Sequence, residues 1–241
     1  LKTQIDPKLK EKLLFNIVVP VFNAEKYIEK CLNSIAKQSY KKFQVQVVDD
    51  CSSDSSYEIA SSICQGKKNF KLFRNNRRIG ALHNIFNLLN KKIEKPSKTI
   101  DLIIDGDDYL YSSDVLNIVE EKYMQTNCLI TYGSHISSKG VKGKKYPLLI
   151  REFNLFRKYF WYASHLKTFR HDLWLSLNPQ DLLNKKREYF SVACDLAIMF
   201  PLLEMAGNRQ EFIREVLYFY NEDNPISDHK LRRKEQILAA K

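Results

Sequence analysis

Glycine is scarce, seven in 241 residues, and no G-x-G-x-x-G or Walker A string occurs. A Gly-rich phosphate loop is therefore lacking, which argues against dinucleotide-binding and P-loop enzymes. No apolar run approaches the roughly 18 residues of a transmembrane helix. The five cysteines, Cys31, Cys51, Cys64, Cys128 and Cys194, are odd in number and never stand in C-x-x-C spacing. That pattern speaks against a zinc knuckle or a disulfide framework. Free thiols fit a reducing compartment and predict a cytoplasmic protein. Acids are outnumbered, 28 against 39 bases, for a net charge of +11. The excess predicts a polyanionic partner or, equally, a solvated Lys-rich surface. At 44% hydrophobic and 28% charged, the chain is otherwise of ordinary globular composition, which excludes disordered and low-complexity classes. It opens on Leu1, as a piece of a longer protein would, and no signal peptide is visible.

What is present is an alternation of two periods. Short apolar runs at 13–19, 43–48, 70–73, 99–104 and 129–132 read as strands. Between them, 25–37, 54–64, 79–93 and 112–123 carry apolar residues at helical spacing. Strands alternating with helices imply right-handed βαβ units on a mostly parallel sheet. After residue 135 the pattern is less regular. The stretch 139–145 reads as a mobile basic loop, 195–206 as a helix kinked or broken at Pro201, and 212–220 as a strand.

Ligands of open α/β sheets bind beyond the carboxyl ends of the strands. Three such ends are informative: Pro20-Val21-Phe22-Asn23, then Asp49-Asp50-Cys51-Ser52-Ser53-Asp54, then Asp105-Gly106-Asp107-Asp108. Carboxylates crowded on one rim repel and call for a cation. In Asp105-Gly106-Asp107, acids two apart on an extended chain point the same way, and the glycine admits a ligand close to the backbone. Hard oxygen ligands suit Mg²⁺ or Mn²⁺. Alone, such a triplet also describes an ordinary turn.

Together these strings resemble the GT-A fold glycosyltransferases of family 2. The resemblance runs from Ile17-Val-Val-Pro-Val-Phe-Asn through Val47-Val-Asp-Asp-Cys-Ser-Ser-Asp, Asn76, Gly80 and Asn84 to Asp105-Gly-Asp-Asp, in family order, over roughly residues 14–135. It implies a Rossmann-like three-layer α/β/α sandwich and a nucleotide-diphospho-sugar donor. Uridine is the expected base, with thymidine or guanosine as alternatives. It also implies a Mn²⁺ or Mg²⁺ ion on Asp105 and Asp107, and inversion at the anomeric carbon. By the same resemblance Pro20 to Asn23 line the nucleotide pocket, Asp49 and Asp50 contact base or ribose, and Gly80, Asn84 and Gly106 lie beside the donor. Two departures stand out. His83 replaces the arginine usual before Asn84, leaving Arg77 or Arg78 to supply a cation. Cys51 stands where Gly or Asn is usual.

An inverting transfer needs a base opposite the leaving group. The resemblance places it on an acid at a helix start in the second half, and Asp195 is the candidate, with Asp172 and Glu188 as alternatives. A simple N-cap is the competing reading of Asp195. His165, in the aromatic stretch 161–170, is a candidate donor contact, and His229 a candidate to close over the diphosphate. Phe169 is expected in the core, and His135 and His171 are read as ordinary core or surface. The expected organisation is an extension at 1–12 and one domain at 13–228. Its donor half is 13–135 and its acceptor half 136–228, and a basic tail follows at 229–241. The acceptor is a glycan, glycolipid or protein. The basic stretch 139–151 and the tail predict peripheral contact with an anionic membrane. No nucleic acid is expected, because acidic strand ends would repel its backbone. Two further readings are a catalytically inactive relative kept for binding, disfavoured by the intact Asp105 and Asp107, and a nucleotidyltransferase, disfavoured by the missing Gly-rich loop.

Overall fold

A computed structural model describes residues 11–225. Most of the expected N-terminal extension, the basic tail and His229 lie outside the described residues. One sheet organises the rest. Its strands are β1 (Leu14–Val21), β2 (Phe43–Asp49), β3 (Phe70–Arg74), β4 (Thr99–Ile103), β5 (Tyr109–Leu110), β6 (Ile130–Ser137), β7 (Lys167–Arg170) and β8 (Gln210–Tyr220). They stand in the order β3-β2-β1-β4-β7-β6-β8-β5. The first four are mutually parallel. β7 runs antiparallel to both β4 and β6, while β6 and β8 pair in parallel.

Burial on both faces follows from the strand sequences. In β1, Phe15, Ile17 and Val19 enter one core and Val18 the other, as alternation on a pleated strand requires. The helices are α1 (Ile28–Ala36), α2 (Ser56–Cys64), α3 (Ala81–Leu89), α4 (Val115–Thr126), α5 (Leu148–Glu152), α6 (His171–Leu175) and α7 (Cys194–Ala206). α1, α2 and α4 cover the first face through Ile28, Leu32, Ala60 and Val119. α3, α6 and α7 cover the second through Leu82, Leu88, Trp174 and Leu203. Helices on both faces of a mostly parallel sheet make the expected three-layer α/β/α GT-A architecture.

Three expectations change. α7 continues through Pro201 as one helix instead of breaking there. Ile198, Met199, Leu202 and Leu203 are all buried around the proline, and their packing outweighs the missing hydrogen bond. The 139–145 loop folds back on the sheet: Lys142 bridges Ile136, and the Gly143 amide donates to the His135 carbonyl at 3.2 Å. β7, inside a stretch read for its aromatics and His165 and not as a strand, is an interior strand, so the sheet draws strands from both sides of residue 135.

Candidate active site

The strand order reverses direction beside β1, and the carboxyl ends of β1, β2 and β4 open there onto one cleft of about 400 Å³. Of the expected residues, Pro20, Val21, Phe22, Asp50, Arg78, Asp105, Gly106, Asp107, His165 and Asp195 line it.

The acidic turn after β4 is held from two sides. The Gly106 amide donates to the Pro20 carbonyl at 3.2 Å, and a Cβ at this position would stand 3.1 Å from that oxygen. From the end of β8, the Tyr218 hydroxyl donates to Asp108 at 2.8 Å and accepts from the Asp105 amide at 3.1 Å. The Asn221 amide donates to the other Asp108 oxygen at 2.7 Å, and Asn224 donates to Asp107 at 2.7 Å. Burial, then the neighbouring charges of Asp107 and Asp105, push the Asp108 carboxyl well above its ordinary range. Asp108 therefore fastens the turn and leaves Asp105 and Asp107 on the cleft wall.

Beside the acidic turn, Lys167 opens β7 opposite Ile103 of β4, His165 lies two residues before it, and both meet Asp195 in the first turn of α7. The imidazole is buried and sandwiched between Tyr218 and Tyr220, ring centroids 4.7 and 4.8 Å away. Its Nε2 has no hydrogen-bond partner, yet lies 3.7 Å from Asp105 Oδ2 and 3.8 Å from Asp195 Oδ2. Burial, then the Lys167 and His135 charges, hold its pKa well below the usual imidazole value, so it is neutral at pH 7. Lys167 is buried and pairs with Asp195, with its Nζ also 4.0 Å from Asp105 Oδ2. Burial lowers the Lys167 pKa, but Asp195 and Asp105 outweigh it and raise the net value. Sequence reasoning missed Lys167.

Four expected donor contacts do not line the cleft, and each builds its rim instead. Asp49 is turned into the protein, where it accepts from the Ser52 amide at 3.1 Å and sits 3.5 Å from Arg74. Asn23 links the first two strand ends, its side chain accepting from the Ser53 amide at 2.9 Å. Asn84 is buried and accepts from Asn75 at 2.8 Å. Gly80 takes φ +93° at the start of α3 and donates its amide to Asp50 at 2.8 Å. Cys51 adopts φ +63°, which explains why Gly or Asn is usual in its place. Arg78 supplies the cation at the cleft, its guanidinium 3.8 Å from the Phe22 ring centroid, while His83 stacks on Tyr189. Neither alternative base faces the cleft: Asp172 pairs with Arg170, and Glu188 accepts from Asn184. Phe169 and His171 are core, as expected.

Asp50 also accepts from the Ile79 amide at 2.9 Å and from Asn75 at 2.8 Å. Burial pushes its pKa up, but the donors Ile79, Asn75 and Gly80, with the Asn84 amide nearby, outweigh it and hold the carboxyl below its ordinary range. Its contribution to stability is thus present above the ordinary carboxylate pKa and lost as pH falls through the lowered one. Asp50→Asn is expected to cost about 1–3 kcal/mol at pH 7, since an amide accepts at one atom only and leaves a turn N–H unpaired. Urea unfolding at pH 7 and near pH 3 checks this, with the difference shrinking at the lower pH.

Among the described residues, Asp105, Asp108 and His165 offer ligand atoms that all lie within 4.8 Å of one another. Asp108 is also bonded to Tyr218 and Asn221, which leaves Asp105 and the His165 Nε2 as the least committed of the three, and Asp107 lines the same cleft. Oxygen ligands with one imidazole fit Mn²⁺ or Mg²⁺.

Comparison with known proteins agrees with this geometry. The sequence pattern of glycosyl transferase family 2 matches residues 16–184. The chain is 33% identical over 138 residues to the poly(ribitol-phosphate) beta-N-acetylglucosaminyltransferase TarS of Staphylococcus aureus, covering 55% of this chain and 22% of that protein. The chain thus spans only about a fifth of that curated relative's length. Residues 1–349 of S. aureus TarS in complex with UDP-GlcNAc superimpose with a TM-score of 0.65 at 22% identity, over 91% of this chain and 61% of that one. The mannosyltransferase PcManGT of Pyrobaculum calidifontis, in complex with GDP-Man and Mn²⁺, superimposes with a TM-score of 0.65 at 19% identity, over 99% and 66%. A matched pattern over most of the chain, on a GT-A sheet whose acidic strand ends share one cleft, makes this protein a glycosyltransferase belonging to family 2.

Proposed function

We propose that the cleft transfers a sugar from a nucleotide-diphospho-sugar, a UDP-sugar by first choice, to a hydroxyl of a glycan, glycolipid or protein, with inversion. One observation carries the reading: Asp105 of the acidic turn and Asp195 of α7 line the same cleft, and both stand within 3.8 Å of one imidazole nitrogen. A leaving group held at the acidic turn and a separate carboxylate to act as base are the two groups that displacement at the anomeric carbon requires. The acceptor oxygen attacks the anomeric carbon, its proton passes to Asp195, and the bond to the diphosphate breaks. Lys167 holds the Asp195 carboxylate in place through their ion pair. Pro20 to Phe22, Asp50 and Arg78 form the nucleotide wall, and Trp161 and Tyr220 supply aromatic surface at the sugar end. The residues that would hold a divalent cation are Asp105, Asp107 and His165. Such an ion, when bound, neutralises the departing diphosphate. The 13–135 half then carries the donor and the 136–228 half the acceptor. The UDP-GlcNAc complex of TarS supports uridine, and the GDP-Man complex of PcManGT keeps guanosine as the alternative.

A panel of nucleoside diphosphates and their sugars, with and without Mn²⁺, tests the reading by thermal stabilisation. At a hundredfold excess over Kd the true donor adds about 2.7 kcal/mol. The shift is expected to need Mn²⁺ and to vanish in Asp107→Ala. Silence across the whole panel would favour a relative retained for binding without catalysis.

A further inference from the structure

We propose that residues 141–160 form a docking surface for an anionic lipid bilayer at the acceptor side of the cleft. Nine large hydrophobic side chains are exposed among the described residues, and six of them fall in this stretch: Val141, Leu148, Leu149, Phe153, Tyr159 and Phe160. Such clustering is not the scatter of single apolar residues that any surface shows. The exposure does not come from a loose segment, because the same stretch is anchored inward. Tyr146, Ile150 and Phe156 are buried in the second core. The Tyr146 amide donates to the Tyr132 hydroxyl at 3.1 Å, and Arg151 donates to the Gln210 carbonyl at 2.9 Å. Arg157 pairs with Glu204 of α7. With one face held, Leu149 and Phe153, four apart on α5 and its last turn, share the other.

Charge selects the partner. Lys142, Lys144, Lys145 and Lys158 are exposed in the same stretch, where Glu152 is the one acid. Aromatic and aliphatic side chains flanked by lysines match a bilayer interface, the rings and leucines entering the acyl boundary and the ammonium groups meeting anionic headgroups. A protein partner of mixed surface charge would leave the lysines without complement. The two ends of the stretch lead toward the cleft. Phe160 precedes Trp161, which lines it. Gly143 is bonded to the carbonyl of His135, whose ring lies 5.9 Å from that of His165. A bilayer docked here would present a membrane-held acceptor at the cleft mouth. This consequence rests on the proposed transfer, but the docking itself is measured without donor or acceptor.

The test is co-sedimentation of the full 241-residue chain with vesicles of phosphatidylcholine alone and with about 30% phosphatidylglycerol. The expected result is retention on the anionic vesicles only. Retention should fall at least about tenfold in Lys142→Glu/Lys144→Glu/Lys145→Glu, given the surface attraction of each lysine. A comparable loss is expected in Leu148→Ser/Leu149→Ser/Phe153→Ser/Phe160→Ser. These side chains are exposed, so unchanged melting temperatures confirm that both variants fold. No retention of the wild type, equal retention on neutral vesicles, or unchanged retention in either variant overturns the proposal. So does a wild-type dimer in sedimentation velocity that the serine variant abolishes, which would assign the face to a second copy of the chain. Because donor-induced thermal shifts are read separately, failure here leaves the transferase reading intact.

Discussion

Asp195→Asn is expected to lower kcat for sugar transfer by about 10²–10⁴-fold, the range for removal of a positioned general base. Donor affinity, read from the nucleotide-induced thermal shift, should stay within about threefold, since other residues, Pro20 to Phe22, Asp50 and Arg78, build the proposed nucleotide wall. The amide keeps the size of the carboxylate and can still accept from Lys167, so the fold is retained and the loss is chemical. If Asp195 were only the cap of α7, the same variant would lose stability and keep its turnover. The structure already weakens that alternative: α7 has Ala193 at its N-cap in a left-handed conformation, with no side-chain cap bond, and the Asp195 carboxylate is paired with Lys167. Single-turnover transfer at saturating donor, wild type against variant, separates the two outcomes.

The second large effect lies at the other end of the sheet and concerns stability alone. Asn16 and Asp101 face each other across β1 and β4, and the Asn16 amide donates to Asp101 at 2.7 Å. The second Asp101 oxygen is 2.7 Å from His171 Nδ1, and both residues are fully buried. Gln44 and Gln46 donate to the Asn16 carbonyl oxygen at 3.1 and 3.0 Å and complete the network. Burial raises the Asp101 pKa, with His171 and then Asn16 working against the rise. His171→Ala leaves a buried carboxylate oxygen without its hydrogen-bond partner and is expected to cost about 3–5 kcal/mol at pH 7. For a chain of this size that is a fall of about 10 °C in Tm. A carboxyl whose pKa is raised by folding binds its proton more tightly in the folded state, so stability is favoured as pH falls. The deficit of His171→Ala should therefore narrow between pH 8 and pH 5. Asp101→Asn, which removes the charge together with its need for a partner, should cost less. A His171→Ala deficit under about 1 kcal/mol, or one equal at both pH values, would show that the pair is not the support described.

The strand ends show where reading from the chain stops. Alternation in Phe15 to Val19 and helical spacing in Ile28, Leu32 and Ile35 are local patterns, and both elements form where expected. Asp49 and Asp50 were indistinguishable in sequence because both follow one apolar strand. The pleat sends Asp49 inward to Arg74, and only Asp50 reaches the cleft. Lys167 was hidden for a related reason. An isolated cation in a polar-aromatic segment reads as surface, whereas here it is an interior side chain paired with acids from two other elements. Asn221 and Asn224 carry no motif of their own, yet they fasten Asp108 and Asp107 across separations of 113 and 117 residues.

By itself the sequence determined the α/β class and the acidic turn at Asp105 to Asp108, and its motifs carried the resemblance to family 2 and, through it, the choice of Asp195 as candidate base. The class and the turn are carried by near neighbours along the chain, where periodicity and turn chemistry act over a few residues. Tertiary structure alone decided which carboxylates face the cleft and that His165 Nε2 stands between Asp105 and Asp195. It alone buried Lys167 against both acids and set an exposed apolar crest beside the lysines of 142–145. Those outcomes depend on which strands become neighbours. The insertion of β7 between β4 and β6 is settled by burial of the whole sheet on both faces, a condition that no local window of residues contains.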